Sequence, residues 1–364
     1  MAKVQMDHDS GVMRTVAQIA AVLDALEDRF GVDVDATQHR AAEIERVAEA
    51  LGEPGLRLRA RLVWANARRR KGDIAGAAQS CWEVNAWAGE HGDRLLLARS
   101  HMLLSQLYDN LGDTGAGLEH AVSAAELLDD GTPARTRAVI LMKLADDLAL
   151  GGSTSAARER YHQAEQVAVD SGDAELRMVV LNNLAYADYL GGEPDRSWAT
   201  IERLGEVAAA TGQRLTPDAL DTVARVQMAL GRYAEAEQTV QATLREYASS
   251  GRLDSDAYAE YLLTLAAAQR HLGAPEAAQA SLDRCVQLCA ERELAGVRVR
   301  ALEEQAELYA ARGDLRRAYD VYKAFHAADR RLVSEQREAQ ARARQAMLEV
   351  AEERRRSGTA PYPP

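Results

Sequence analysis

The sequence predicts an all-α protein made of paired helices that repeat along the chain. The first observation is composition: apolar residues make up 47% of the 364 residues, whereas aromatic residues make up only 5%. Alanine and leucine must therefore fill most of the core. Both are strong helix formers, and residues that favour strands are sparse. The other two observations are the spacing of the glycines and the small residues at fixed distances from them.

Glycines divide the chain in two interleaved series of the same period. Those of the first series follow apolar helical stretches and lie 39 to 42 residues apart: Gly72, Gly112, Gly152, Gly192, Gly231, Gly273 and Gly313. Those of the second series lie between them: Gly52, Gly92, Gly131, Gly172, Gly212 and Gly251. Because glycine commonly closes a helix, this spacing predicts seven repeats of two helices, each helix closed by a glycine.

Small side chains flank every glycine of the first series at two fixed distances. Seven residues before the glycine stand Ala65, Ser105, Ala145, Ala185, Ala224, Ala266 and Ala306. Five residues after it stand Ala77, Gly117, Ala157, Ser197, Ala236, Ala278 and Ala318. Small residues at these points allow two antiparallel helices to approach closely, whereas a leucine would push them apart.

This pattern resembles the tetratricopeptide repeat (TPR) family over about residues 56–326. The small pair, the "GD" or "GR" turn and tyrosines such as Tyr108, Tyr161, Tyr309 and Tyr322 match the family motif. The resemblance implies a right-handed superhelical solenoid of about seven helix pairs. The period is about 40 residues rather than about 34, and the closing proline of the motif is absent, so longer helices are expected. HEAT-type repeats share the longer period but lack the small pair.

The array predicts a division of the chain into five segments. Residues 1–10 and 357–364 are expected to be disordered. Residues 11–55 are expected to form capping helices, because "DATQHRAAEIERVAEALG" looks like a degenerate half-repeat and such arrays need capped ends. Residues 56–326 form the array, and residues 327–356 form an extended helix continuous with the last repeat, since no glycine or proline interrupts them.

Charge and composition argue against several classes of protein. A formal net charge of −12 does not suit a general nucleic-acid binder, which needs a basic face. No stretch approaches 18 consecutive apolar residues, so no membrane span is expected. The start of the chain lacks the pattern of a signal peptide, and Cys81, Cys285 and Cys289 are interpreted as reduced thiols, which together favour a cytoplasmic protein.

No arrangement of residues in the sequence indicates catalysis, a metal site or a cofactor. "GDTGAGLEH" at 112–120 contains clustered glycines, but no strand precedes it and its glycines fall on repeat positions, so a helix turn is favoured over a phosphate loop. Cys285 and Cys289 share a helix face without a paired histidine at ligand spacing, which favours burial over metal binding. We therefore expect a protein that is not an enzyme.

The TPR resemblance implies that the first helix of each pair lines a concave groove in which a peptide or protein partner binds. Carried over position by position, the resemblance gives a set of predicted groove residues: Arg59, Asn66, Arg69, Arg99, Gln106, Asp109, Asp146, Asn182, Tyr186, Tyr189, Arg225, Met228 and Arg270.

Two parts of this predicted groove have alternative interpretations. Asn182, Tyr186 and Tyr189 share one helix face and suit an extended peptide, but the tyrosines could instead fill the seam between helices. The stretch "RLRARLVWANARRRK" at 57–71 carries seven basic residues and no acidic one. It could bind an acidic peptide, or it could form salt bridges to acids of the capping helix, such as Glu43, Glu45 and Glu49.

The last helix carries a weak heptad seam that could serve a homodimer or fold back over the array as a cap. Its residues are Phe325, Leu332, Ala339, Ala343, Ala346 and Val350. The segment "YKAFHAADRRLVSEQREAQARARQAMLEVAEERRR" also resembles the connector between the TPR sensor half and the GGDEF output half of bacterial diguanylate cyclases. The sequence contains no GGDEF segment, so neither cyclase activity nor cyclic-dinucleotide binding is expected.

These observations predict a non-catalytic protein- or peptide-binding scaffold or sensor module of bacterial signalling. The alternative is the sensor half of a diguanylate cyclase-type protein that relays ligand binding through its last helix.

Overall fold

The computed structural model describes residues 15–27, 33–249 and 256–356, and every regular element in that part is an α-helix. This confirms the all-α fold class. The sixteen helices, numbered in chain order, are α1 (Val16–Glu27), α2 (Val34–Ala50), α3 (Pro54–Arg70), α4 (Ile74–His91), α5 (Arg94–Asn110), α6 (Thr114–Glu126), α7 (Ala134–Leu150), α8 (Thr154–Asp170), α9 (Ala174–Leu190), α10 (Pro194–Thr211), α11 (Pro217–Ala229), α12 (Tyr233–Ser249), α13 (Asp256–His271), α14 (Pro275–Glu291), α15 (Ala295–Ala311) and α16 (Leu315–Arg356).

Helices α3 to α16 form seven consecutive pairs, preceded by α1 and α2. The chain divides into two compact units: unit 1 contains the residues up to Arg160 and those from Gln340 onward, and unit 2 contains Tyr161 to Ala339. The segments predicted to be disordered, residues 1–10 and 357–364, lie outside the described residues.

The turns inside the pairs explain why glycine is so often followed by aspartate. All seven glycines of the first series have positive φ angles, from 69° to 86°, which are readily adopted only by glycine. The aspartate then caps the next helix: Asp73 Oδ1 accepts from Gly76 N at 2.9 Å and Asp113 Oδ1 from Ala116 N at 3.2 Å. One dipeptide therefore ends one helix and begins the next.

The prediction that a glycine closes every helix is wrong at α6. This helix ends at Glu126, four residues before the turn that holds Gly131. In that turn Asp129 Oδ1 accepts a hydrogen bond from the backbone N–H of Gly131 at 3.0 Å. The aspartate side chain thus shapes the turn itself, and Gly131 does not adopt a positive φ. Gly251 lies outside the described residues.

The small residues lie at the helix crossings, as their spacing predicts. All fourteen are buried, and most have no exposed surface at all. Where a serine replaces alanine, its hydroxyl has a partner: Ser197 Oγ donates to the Ala185 carbonyl at 2.7 Å across the α9–α10 crossing. Any larger side chain at these points would have to overpack the contact between the two helices.

Each unit has its own aliphatic core. In unit 1 the core includes Leu58, Leu96, Leu104 and Leu107, contributed by α3 and α5. In unit 2 the largest cluster joins α11 to α15, and its members include Leu262, Leu282, Cys285, Leu288, Cys289 and Leu308. Both cysteines of α14 are therefore packing residues. Among the described residues no group of three or more histidine, cysteine, aspartate or glutamate side chains could hold a metal ion, and no described helix is long and apolar enough to cross a membrane.

Candidate ligand-binding site

Unit 1 contains a pocket of about 350 Å³ between α1, α2, α3, α5 and α7. The apolar part of its lining, which we call the apolar wall, includes Leu26, Val34, Leu62, Val63, Met102, Leu103 and Val139. The polar part includes Glu27, Thr37, Asn66, Arg69, Arg70, Arg99, Gln106, Arg135 and Thr136. Four of the predicted groove residues, Asn66, Arg69, Arg99 and Gln106, are thus brought together here. We call this cavity the unit 1 pocket.

Helical spacing explains how the chain brings these side chains to one place. Residues three or four apart share a helix face, so Leu62, Asn66 and Arg69 project from α3 in the same direction. Arg99, Met102 and Gln106 do the same on α5. Helices α3, α5 and α7 are the first helices of three successive pairs, and α3 packs beside α5, which packs beside α7. One face of three equivalent helices therefore lines the pocket.

A carboxylate of α1 lies between two arginines at the edge of the pocket. Glu27 accepts hydrogen bonds from Arg59 Nε at 3.2 Å and Arg59 Nη2 at 2.6 Å, and its Oε2 is 2.5 Å from Arg99 Nη1. Arg99 is buried and also donates to Thr136 Oγ1 at 3.0 Å. Burial lowers the pKa of the Arg59 guanidinium, but its hydrogen bonds to Glu27 and Asp24 and their charges raise it by more. Both arginines therefore already have a carboxylate partner within the chain.

Arg69 has a different set of partners. Its Nε and Nη2 donate to the Asn66 side-chain oxygen at 3.2 and 3.1 Å, and its Nη1 donates to that of Asn110 at 3.2 Å. Among the described residues no carboxylate forms an ion pair with it. Burial lowers the pKa of Arg69, the charge of Arg70 lowers it further, and the charge of Asp109 opposes both. Arg69 thus donates hydrogen bonds to neutral amide oxygens, and the charge of Asp109 acts on it without a direct ion pair.

Asp109, another predicted groove residue, belongs to a buried ionic cluster. It forms an ion pair with Lys143 of α7, which also contacts Asp147. Asp147 in turn accepts a hydrogen bond from Ser105 Oγ at 2.8 Å. Burial raises the pKa of the Asp147 carboxyl, and its hydrogen bond to Lys143 acts in the opposite direction. The neighbouring predicted residue, Asp146, is half-buried on α7.

The basic stretch at 57–71 forms ion pairs with several acids, as its alternative interpretation proposed. Glu45 of α2 accepts from Arg61 Nε at 2.7 Å and lies 3.8 Å from Arg57 Nη1. Lys71 forms an ion pair with Asp35 at the start of α2. The stretch therefore holds α1 and α2 against the array. Arg69 and Arg70 are its members that line the pocket and form no ion pair among the described residues, and Arg69 is the more buried of the two.

In unit 2 the predicted groove arginines have carboxylate partners. Arg225 Nε donates to Asp221 at 2.6 Å, and Arg270 Nε donates to Glu304 at 2.5 Å. Met228 is half-buried on the same helix as Arg225. The charges of this surface are therefore largely compensated within the unit.

The two tyrosines of α9 differ in burial. The Tyr186 ring is 39% exposed, whereas Tyr189 packs against the core residues around Ile201 and Val226. Their ring centroids are 6.1 Å apart, and Asn182 on the same face is half-buried. Tyr189 thus contributes to the seam between helices, and Tyr186 is the ring that a partner could contact.

The last helix, α16, is one unbroken helix of 42 residues. Of its predicted seam, Phe325, Leu332 and Ala343 are half-buried and Ala339 is exposed. The side chains of Ala346 and Val350 lie outside the described residues.

Parts of α16 have partners inside the chain. Leu332 lines a shallow depression in unit 2 together with Leu294, Val297 and Val299. Within unit 1, Arg344 Nη2 donates to the Leu111 carbonyl at 3.0 Å. The part of α16 around Arg344 therefore contacts the turn between α5 and α6.

Five polar residues of the pocket are not among the predicted groove residues: Glu27, Thr37, Arg70, Arg135 and Thr136. Glu27 lies on α1, outside the repeat phase, so no repeat position points to it. Arg135 and Thr136 lie in the first turn of α7, and no family motif residue marks them. The excess of basic residues at 57–71 is the sequence feature that could have indicated an acidic residue nearby, such as Glu27.

No protein-family model matches the chain, and no curated protein matches it. Solved structures do resemble it. A Rap protein complexed with competence and sporulation factor has a TM-score of 0.60 at 13% identity, covering 88% of this chain and 93% of that one. A Rap conjugation gene regulator of a plasmid, solved with the Phr* peptide, has a TM-score of 0.56 at 12% identity, with 88% and 90% covered.

A third similar structure is a STAND signal-transduction ATPase from Pyrococcus horikoshii that contains a tetratricopeptide repeat sensor. Its TM-score is 0.60 at 12% identity, and the match covers 88% of this chain and 50% of that one. At sequence identities this low, the similarity to these structures establishes a shared fold. Together with the glycine turns and the buried small residues at the helix crossings, they show that the chain has the TPR-like helical-repeat fold.

Proposed function

We propose that the chain is a non-catalytic sensor or scaffold module of bacterial signalling that binds a peptide in the unit 1 pocket. The observation that carries this proposal is the convergence of Asn66, Arg69, Arg99 and Gln106 on one cavity lined by the first helices of three successive pairs. The fold supports it, since a regulator of similar fold was solved with a peptide.

The chemistry of the pocket suits a peptide. Amide side chains both donate and accept, so Asn66 and Gln106 can pair with the two polar groups of a peptide backbone. The apolar wall offers burial to a side chain of that peptide. The pocket volume of about 350 Å³ lies at the lower end of the range for ligand pockets. A pocket of this size accommodates a few residues of a peptide but not a folded domain.

Selection from a random heptapeptide display library with the full chain tests this proposal. We expect the wild-type chain to enrich a family of related peptides and the double variant Asn66→Ala, Gln106→Ala to bind them about tenfold more weakly, because two amide contacts are lost. Melting of the double variant should stay close to wild type, since neither side chain is fully buried.

The matched control replaces two amides that do not line the pocket, Gln166→Ala and Gln287→Ala, and should bind as the wild type does. Failure of the wild type to enrich any related peptides, or equal binding by the pocket variant, would contradict the proposal. The predicted groove residues of unit 2 stay a prediction for partner contacts within that unit. Among them, Tyr186 has the largest exposed ring.

The continuity of α16 favours a second candidate function, a relay of the kind found between sensor and output halves. We propose that this helix pairs with its counterpart in a second copy of the chain. Light scattering should then give twice the chain mass for the full chain and the single mass for a chain ending at Arg330. An unchanged mass after truncation would reject pairing and favour the fold-back contact between Arg344 and Leu111.

A further inference from the structure

We propose that the unit 1 pocket recognises a carboxylate that carries an apolar group, with Arg69 as the residue that binds the carboxylate. This inference rests on the proposed function and names the chemical class that the pocket selects.

The first argument is the charge of Arg69. Of the five predicted groove arginines, four form ion pairs with carboxylates of the chain: Arg59 and Arg99 with Glu27, Arg225 with Asp221, and Arg270 with Glu304. Arg69 donates to amide oxygens alone. A half-buried cation that makes no direct ion pair is costly. The charge of Asp109 acts on Arg69 without forming one, and an anionic ligand would supply the missing direct contact.

The second argument is the geometry of its donors. Nε and Nη2 form the edge of a guanidinium that binds both oxygens of a carboxylate at once. In Arg69 these two donors converge on a single neutral oxygen, that of Asn66, at 3.2 and 3.1 Å. A carboxylate offers two charged oxygens to the same pair of donors. It would therefore displace the Asn66 oxygen and replace two hydrogen bonds to one neutral oxygen with two hydrogen bonds to two charged oxygens.

The third argument is the balance of charge around the cavity. Four arginines line it (Arg69, Arg70, Arg99 and Arg135), and the one carboxylate that lines it is Glu27. Glu27 is already bound by Arg59 and Arg99. Arg69 and Arg70 form no ion pair among the described residues, so this part of the lining carries positive charge that can attract anions in a protein whose overall charge is −12.

The apolar wall defines the rest of the ligand. Leu62, Val63, Met102 and Val139 face the cavity, which is large enough for one branched aliphatic side chain next to the carboxylate. Burial of such a side chain favours binding, because it removes apolar surface from water. A phosphate or sulfate would satisfy the arginines but leave this wall uncovered. The combination points to the C-terminal carboxylate of a peptide with an aliphatic last residue, or to a free acid of the same character.

Two tetrapeptide libraries lacking Asp and Glu test this inference, because the C-terminus is then the sole carboxylate. One library is synthesised with free C-termini and the other with C-terminal amides, and each is selected on the full chain. We expect free-acid peptides with aliphatic last residues to be enriched, and their amides to bind at least tenfold more weakly by calorimetry. N-acetyl-leucine serves as the small-acid probe.

Variants of the full chain assign the effect to Arg69. Arg69→Gln should lower the affinity for the enriched free-acid peptides at least tenfold, and Arg69→Lys, which keeps the charge but loses the paired donors, should lower it less. Arg46→Gln removes the same charge from an exposed site on α2 and should leave the affinity unchanged. Unfolding of each variant, followed by circular dichroism, confirms that the binding is compared between folded chains.

The outcomes separate this inference from the function on which it rests. Equal binding of acids and amides, or no loss with Arg69→Gln, would overturn the carboxylate assignment and leave peptide binding intact. If neither library binds, both fail. Binding of N-acetyl-leucine with an affinity equal to that of the peptides supports the carboxylate site and assigns it to a small acid, whereas binding by the peptides alone assigns it to a peptide C-terminus.

Discussion

Replacement of Lys143 by alanine is expected to destabilise the chain by about 3–5 kcal/mol, because it leaves a buried carboxylate without its cation. Lys143 is 9% exposed and Asp147 is 3% exposed, and Lys143 joins Asp147 of its own helix to Asp109 of α5. Without the lysine, Asp147 keeps the hydroxyl of Ser105 as its hydrogen-bond donor. Urea denaturation followed by circular dichroism measures the loss.

Two further variants show whether the buried charge is the cause. Lys143→Met combined with Asp147→Leu removes the charges of both and should recover much of the stability, since a well-packed apolar pair often replaces a buried ion pair without loss. Lys323→Ala removes a lysine whose ion pair with Asp320 is exposed and should change the denaturation midpoint little. A Lys143→Ala midpoint no lower than that of Lys323→Ala would contradict the interpretation.

The loss of stability caused by Lys143→Ala should also depend on pH. Burial raises the pKa of the Asp147 carboxyl, and the hydrogen bond to Lys143 opposes this, so the variant lacks the main group that favours ionisation. The folded variant then binds a proton more readily than the unfolded chain does, and its stability falls as pH rises through the carboxyl range. Lys143→Ala should therefore lose less stability at acidic pH than at neutral pH.

The repeats could be predicted from the sequence because they depend on local rules. A glycine with positive φ, such as Gly72, ends one helix, and the aspartate after it, Asp73, caps the next. The buried small residues follow from the same phase, since each marks a helix crossing. Gly131 shows the limit: it has the right spacing, but the Asp129 side chain makes a different turn.

Glu45 is a partner of the basic stretch that the sequence suggested. The other polar partners could not be predicted, because they depend on which helices lie side by side. Asp109 has the right position on α5 for the groove, yet it forms an ion pair with Lys143, 34 residues away on α7. Arg59 and Arg99 also have groove positions, and both bind Glu27, which lies outside the repeat phase. Position within a repeat predicts the face on which a residue lies, and charge pairing then decides which of those residues is available to a ligand.

Replacement of Glu27 by glutamine is expected to loosen α1 and to tighten carboxylate binding. Helix α1 packs against α2 and α3, and Glu27 joins its last turn to Arg59 and Arg99. Loss of these charged hydrogen bonds should lower the local stability of α1 by roughly 1.5–3 kcal/mol. Hydrogen exchange of the amides in 16–27 should then be about 10 to 100 times faster, while the array remains protected.

The same substitution separates a structural from a ligand-competing role of this carboxylate. With Glu27 neutral, Arg99 loses its acidic partner beside the pocket, so free-acid peptides should bind several times more tightly to Glu27→Gln and their amides no more tightly than before. Asp24→Asn is the matched control: it removes the same charge from α1, but Asp24 is 61% exposed and contacts Arg59 from outside the pocket. If the two variants exchange at the same rate and bind acids equally, the attachment of α1 does not depend on Glu27 and its carboxylate does not compete with ligand.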